Sequence, residues 1–164
     1  MHTVLATESE YDISPAELKK GSIFGALSET GIQYLLENGV IHRVMEGEEI
    51  FSYGGQGNSF HTVLHGSLDF YKQHNEKRTR TRTVKFGEAI GFVSMIALHE
   101  RAGSLYALED SLLLEISSQL FSDFHDNHPF DFGILLMNLS RDMARTIRVL
   151  SNALVENDVI VKRN

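Results

Sequence analysis

Hydrophobic spacing divides the chain into a short helical region, a long alternating region and a second helical region. Residues 1–14 are polar and acidic with no period, which predicts a loosely docked end. Ser14 followed by Pro15 predicts a short helix through Lys20, with Gly21 as its stop. In "LSETGIQYLLENG", Leu27, Ile32, Leu35 and Leu36 recur at near-helical spacing, with Ser28 as N-cap and Gly39 as terminator.

From Val40 the period shortens. "VIHRVMEGEEIFSYGGQG", "FHTVLHGSLDFYKQ" and "RTRTVKFGE" are alternating runs punctuated by glycine, and "SLYALEDSLLLEI" adds two more, joined near Glu109–Asp110. That rhythm predicts an antiparallel jelly-roll β-barrel, so the fold class is mainly β with flanking helices. After Ile116 the helical period returns. "SSQLFSDFHDN" offers Ser117 or Ser118 as cap and places Leu120, Phe121 and Phe124 on one face, and Pro129 opens a long helix to about Glu156. Leu136, Met143 and Leu150 repeat at heptad spacing, as do Ile147 and Leu154, with Ser140 in the matching earlier place. The expected organisation is a polar segment with a short helix over 1–22, the barrel over 23–128, the long helix over 129–156 and a tail over 157–164. A seam of about three heptads exceeds what covering the barrel requires, so the outer half of the helix is expected to form a homodimer.

Composition narrows the function. A hydrophobic content of 42% with 23% charged residues is that of a globular protein. A net charge of −7 disfavours general affinity for nucleic acid or anionic membrane. With no cysteine there is no disulfide, thiolate metal site or cysteine nucleophile. Neither a secretion signal nor a membrane span is predicted, and a cytoplasmic location is expected.

The candidate chemistry lies in "GFVSMIALHERAGS", residues 91–104, where a single arginine sits among small side chains. A short helix after Gly91 would direct free N–H groups and a favourable dipole at an anion. Arg101 adds a planar, permanently charged fork, and the small residues Ala102, Gly103 and Ser104 let the backbone approach closely. This stretch resembles the phosphate-binding cassette of the cyclic nucleotide-binding domain family, found in bacterial catabolite activator proteins and in regulatory subunits of protein kinase A. The resemblance extends over residues 23–156 through "IFGALSETGIQYL", "GEEIFSYGG", "VLHGSLDFY" and "NLSRDMARTIRVLS".

Gly91, Ser94, Arg101, Ala102, Gly103 and Ser104 fall on the cassette positions without a gap, and Gly87 matches a further family glycine. Phe92, followed by Val93, stands where the family carries the glutamate that binds the ribose hydroxyl. An alternative register uses Glu88 as that acceptor, at the cost of three extra residues before Arg101 and of Thr83 at the glycine position. For the base, the long helix offers Leu150–Ser151, and Ser104 sits where a hydroxyl accompanies guanine recognition. The resemblance implies a non-enzymatic sensor for cyclic AMP or cyclic GMP, with no cofactor, which transmits binding through its C-terminal helix. The alternative is a dimerisation or docking module that binds no nucleotide, its pocket plugged by Phe92. Only "NDVIVKRN" follows the long helix, so no helix-turn-helix and no direct DNA binding are expected.

Other signals take structural explanations. "KRTRTRTVK" places Arg78, Arg80 and Arg82 on one strand face and Thr79, Thr81 and Thr83 on the other, as in a charged hairpin that resists edge pairing. His61 and His65 share a strand face at a spacing unlike that of metal-binding jelly rolls, and His125 and His128 belong to a helix end, so no metal is expected. "GGQG" at 54–57 lacks the residues of a phosphate loop and is expected to be a turn. No catalytic constellation is predicted.

Overall fold

In a computed structural model, which describes residues 1–4, 11 and 13–160, two β-sheets face each other and helices cover one of them. The elements run β1 (His2–Val4), α1 (Pro15–Leu18), α2 (Glu29–Asn38), β2 (Val40–Val44), β3 (Glu49–Phe51), β4 (Ser59–His65), β5 (Ser67–His74), β6 (Lys77–Lys85), β7 (Ala89–Ile90), α3 (Phe92–Ile96), β8 (Gly103–Ala107), β9 (Ser111–Ser117), α4 (Ser118–Asn127) and α5 (Pro129–Glu156). One sheet has the order β1-β2-β9-β4-β7 and the other β3-β8-β5-β6. The predicted barrel is therefore a jelly-roll sandwich of two sheets and is not closed. The expected loose end at 1–14 also needs correction, because His2–Val4 pairs with Ile41–Arg43 as an edge strand. Residues 5–10 and 12 of the 1–22 segment, and 161–164 of the tail, lie outside the described residues.

The helix ends follow from local caps. Ser14 accepts from the Glu17 N–H, Ser28 from the Gly31 N–H and Ser117 from the Leu120 N–H, each satisfying a first-turn donor that has no partner within its helix. Pro129 occupies the first turn of α5, where its missing N–H costs nothing.

Two cores result. The larger lies between the helices and the outer face of the five-stranded sheet, with Phe24, Leu27, Leu35, Phe60, Phe92, Leu114, Phe124 and Leu139 buried in it. The smaller lies between the sheets and contains Val44, Val63, Leu68, Val84, Ile90, Leu105 and Leu113. Asp131, in the first turn of α5, is buried and joins the two helical regions: its Oδ1 accepts from the Ser28 N–H at 2.8 Å and its Oδ2 from the Ser28 hydroxyl. Removing a charged acceptor from two donors costs about 2–3 kcal/mol. Asp131→Ala is thus expected to lower the thermal midpoint by about 4–12 °C in a calorimetric scan.

Two bulges overturn face assignments made from alternation. Between Val63 and His65 the register of β4 slips, so His61 and Val63 face the inner core while His65 turns to the opposite side, against Tyr11. Between Phe70 and Tyr71 the pairing jumps from Arg82 to Arg80, which puts these two arginines on opposite faces of β6. Arg80 reaches Asp69 at 3.1 Å, and Arg82 makes a two-pronged pair with Asp142 of α5 at 2.9 and 3.2 Å.

Candidate functional site

Between β7 and β8 the chain makes a tight turn, the short helix α3 and a loop that returns to the sheet. Gly91 opens this segment at φ +94°, a left-handed conformation that favours glycine. A side chain there would also meet the Arg101 guanidinium, since a Cβ would lie 2.6 Å from its Nη1. Glycine at this turn thus leaves the guanidinium its room.

Arg101 is held through both its backbone and its guanidinium. Its N–H donates to Gly55 O at 2.8 Å and its carbonyl accepts from the Gly54 N–H at 2.9 Å. Its side chain is 3% exposed and runs inward, where Nη1 donates to Gly91 O at 3.0 Å and Nη2 to Ser59 Oγ at 3.1 Å. The guanidinium carbon lies 4.4 Å from the centre of the Phe51 ring, a cation–π contact. Nε is buried without a partner. Burial pulls the guanidinium pKa below its ordinary value, partly offset by the carboxylate of Glu115, and the group stays cationic at neutral pH. A buried cation whose direct hydrogen-bond partners are both neutral is costly unless an anion joins it.

Arg101 lines a cleft of about 830 Å³ walled by the Tyr53–Asn58 loop, Lys72–His74 and Leu98–Ala102, a volume suited to a small ligand. The "GGQG" turn forms the wall that grips the cassette, since a Cβ on Gly57 would stand 2.2 Å from His99 O. Sequence reading missed this packing role, which the run of glycines signals. At the cleft mouth Leu98 is 91% exposed and adopts φ +55°, a strained conformation for a branched residue.

The remaining predicted residues fall as follows. Phe92 is buried among Phe24, Leu27 and the outer face of the sheet, so it turns away from Arg101 and does not plug the inter-sheet space, contrary to the plugged-pocket alternative. Val93 is exposed and Ser94 buried within α3. Ala102 accepts from the Gln73 N–H, and the Ser104 hydroxyl accepts from the Tyr53 N–H at 3.0 Å, which fixes the loop wall. Glu88 is occupied elsewhere: it accepts from the Lys85 N–H at 2.9 Å and lies 3.7 Å from Arg82. Ser151 is exposed on the outer half of α5, where no residue beyond Met143 is buried, and it lines no part of the cleft. Of the heptad residues, Met143 packs on the large core, Leu154 is half-buried, and Leu136, Ile147 and Leu150 are exposed.

Behind Arg101, on the inner face of the five-stranded sheet, stands a polar group that sequence reading did not find. His61 on β4 lies directly opposite Glu115 on β9, and His42 on β2 pairs with Leu113, one pleat away. His42 Nε2 is 2.7 Å and His61 Nε2 3.9 Å from the Glu115 carboxylate. The bond from His42 and a further one from Ser59 outweigh burial and hold the Glu115 carboxyl down at about 2. Burial, helped by the Arg101 charge, lowers His61 to about 4. The unfolded chain takes up a proton at His61 below its ordinary 6.5, and the folded chain resists until about 4. Stability is therefore expected to fall as pH drops through that window, and Glu115 extends the loss from about 4.5 towards 2. Urea midpoints of metal-free protein against pH check this, and His61→Phe should flatten the upper part of the curve.

The model of the cyclic nucleotide-binding domain matches residues 41–128, which run from β2 through α4 and include residues 91–104. The chain belongs to that family. Its fold is shared with a cyclic nucleotide-binding domain from Methylobacillus flagellatus, at TM-score 0.76 and 18% identity, covering 92% of this chain and 84% of that one. The catabolite activator protein of Thermus thermophilus aligns at TM-score 0.72 and 22% identity over 84% of this chain and 63% of that one. Among curated proteins, Lysophospholipase NTE1 of Cryptococcus neoformans is 25% identical over 83 residues, 51% of this chain and only 5% of that protein. Among the described residues no helix is long and apolar enough to cross a membrane.

Proposed function

We propose that this domain is a non-enzymatic sensor that binds a cyclic nucleotide, or another compact phosphate ester, at the cassette. The observation that carries the reading is Arg101: a residue of the wall of a ligand-sized cleft whose buried guanidinium has an unpartnered Nε and only neutral direct partners. The N–H groups that every helix start leaves unpaired lie on the same turn, at Phe92–Ser94. Phe92 supplies no acceptor for a ribose hydroxyl, which removes about 1.5–3 kcal/mol of binding. Affinity is expected to be about ten- to a hundredfold weaker than with a glutamate there. Calorimetric titration with cyclic AMP, cyclic GMP and cyclic dinucleotides tests the reading. Heat from at least one is expected, and none from any would overturn it.

Transmission is proposed to run from the cassette turn to α5. Glu88, three residues before Gly91, lies near Arg82, and Arg82 grips Asp142 with both prongs. Ligand binding that moves this turn would change the pairing and the position of α5, a shift that requires unequal affinity for the two helix positions. Asp142→Ala should leave affinity within about threefold while abolishing any ligand-dependent change in a spectroscopic distance between β6 and α5.

We also infer that α5 pairs with a second copy. Ile147 and Leu150 are 63% and 54% exposed on a helix that projects beyond its own core, and large apolar exposure of this kind marks an interaction surface. Leu150→Lys should convert a dimer to a monomer in analytical ultracentrifugation. A monomeric parent chain would remove this part of the proposal.

A further inference from the structure

We propose that His42, His61 and Glu115 form a binding site for a divalent first-row transition-metal ion, separate from the ligand cleft. The ligand atoms of the three side chains lie within 4.8 Å of one another. They come from three adjacent strands, β2, β9 and β4, and the sheet register places all three on the inner face, whose other residues there are Val44, Val63, Leu113 and Ile90. None of the three lines the cleft at Arg101.

His61 is the residue that demands an explanation. It is 3% exposed, its Nδ1 has no hydrogen-bond partner, and its Nε2 stops 3.9 Å from Glu115 Oε1, beyond hydrogen-bond reach. A buried imidazole with neither nitrogen bonded is rare in a settled core, where polar groups are paired. A cation between Nε2 and the carboxylate would give Nε2 the partner it lacks. Donors about 2.0–2.1 Å from one tetrahedral ion stand about 3.4 Å from each other. The two distances to the Glu115 carboxylate, 2.7 Å from His42 and 3.9 Å from His61, bracket that value, and the two imidazoles come within 4.8 Å of each other.

The chemistry of the donors suits a borderline ion. Two imidazoles and one carboxylate select zinc, iron, cobalt or nickel over calcium and magnesium, and leave at least one coordination position open. The Glu115 side chain is 29% exposed, which supplies a path for the ion. Two further features set the strength. The guanidinium of Arg101 acts on both His61 and Glu115 and opposes added positive charge. Among the described residues no fourth side chain completes the set, which makes the site weaker than a closed structural one.

Cobalt(II) and zinc(II) titrations of the full chain, after chelator treatment, test the proposal. One equivalent of cobalt should bind with visible d–d absorption, zinc should displace it, and Glu115→Gln and His61→Ala should each weaken binding at least tenfold. Circular dichroism verifies that the variants fold. Glu115→Gln keeps the volume and one hydrogen-bond acceptor for His42, so it remains informative if His61→Ala does not fold. Absence of saturable binding, or one-equivalent binding that persists in both Glu115→Gln and His42→Gln, would overturn it, the latter by placing the ion on surface histidines. Repeating the cobalt titration on Arg101→Ala separates this site from the ligand reading, since binding there should persist or tighten even if nucleotide response is lost.

Discussion

Arg101→Ala is expected to reduce affinity for the cyclic nucleotide by between about a hundredfold and about ten-thousandfold. A guanidinium donates at least two hydrogen bonds to a phosphate, each to a charged acceptor and worth about 1.5–3 kcal/mol, for a total of about 3–6 kcal/mol. At about 1.4 kcal/mol per decade, this gives the stated range. The same change should alter the ligand-free melting temperature little. In the free protein the side chain's direct hydrogen bonds go only to the Gly91 carbonyl and the Ser59 hydroxyl, and its removal relieves the burial of a cation. Arg101→Lys should recover only part of the affinity, because an ammonium keeps the charge and loses the planar fork. An arginine that merely braced the fold would show the reverse pattern, a large stability loss with binding intact.

The second large effect concerns the turn four residues before the cassette. Gly87→Ala is expected to destabilise the domain by about 2–5 kcal/mol. Gly87 has φ +73°, which costs a residue with a side chain about 1–2 kcal/mol, and a Cβ there would stand 2.1 Å from the Cα of Gly21. The backbone of Gly21 cannot rotate away as a flexible side chain can, so overpacking adds about 1–3 kcal/mol. Gly87 is also a junction: its N–H donates to Val63 O, and its carbonyl accepts from the Ile23 N–H and the Ser22 hydroxyl. The thermal midpoint should fall by about 5–20 °C. Gly47→Ala is the matched control, since Gly47 has φ +81° with nothing within 4 Å of a Cβ. The difference between the two variants isolates the packing contribution from the conformational one.

What the sequence made legible follows from how local each signal is. The caps at Ser14, Ser28 and Ser117, the stop at Gly39 and the proline at 129 act within one turn of their helices, and the observed ends fall there. The turn at Gly91 and its contact with Arg101 were legible for the same reason, since both residues belong to one short segment whose turn conformation and charge appear in the residue types. Strand faces were less secure. Alternation assigns His65 and Arg82 to the wrong sides because a bulge adds one residue without any mark in the pattern. The partners of Arg101 were hidden as well: Ser59 and Phe51 come from strands more than 40 residues upstream, and only the register brings them to the guanidinium. His42, His61 and Glu115 are a stronger case, being dispersed over three strands that neighbour one another in the sheet and not in sequence. The position of Ser151 away from the cleft was hidden for a related reason, since α5 is anchored by Asp131, Leu135, Asn138 and Leu139 at its base, not by the spacing of its outer half.

A two-dimensional amide NMR titration with cyclic AMP and cyclic GMP tests the central claim most directly, because it reports both binding and place. Saturable shifts concentrated at 91–104 and in the facing loop 52–58, and lost in Arg101→Ala, are the predicted result. An unchanged spectrum at millimolar nucleotide, or shifts confined to surfaces away from Arg101, would contradict it.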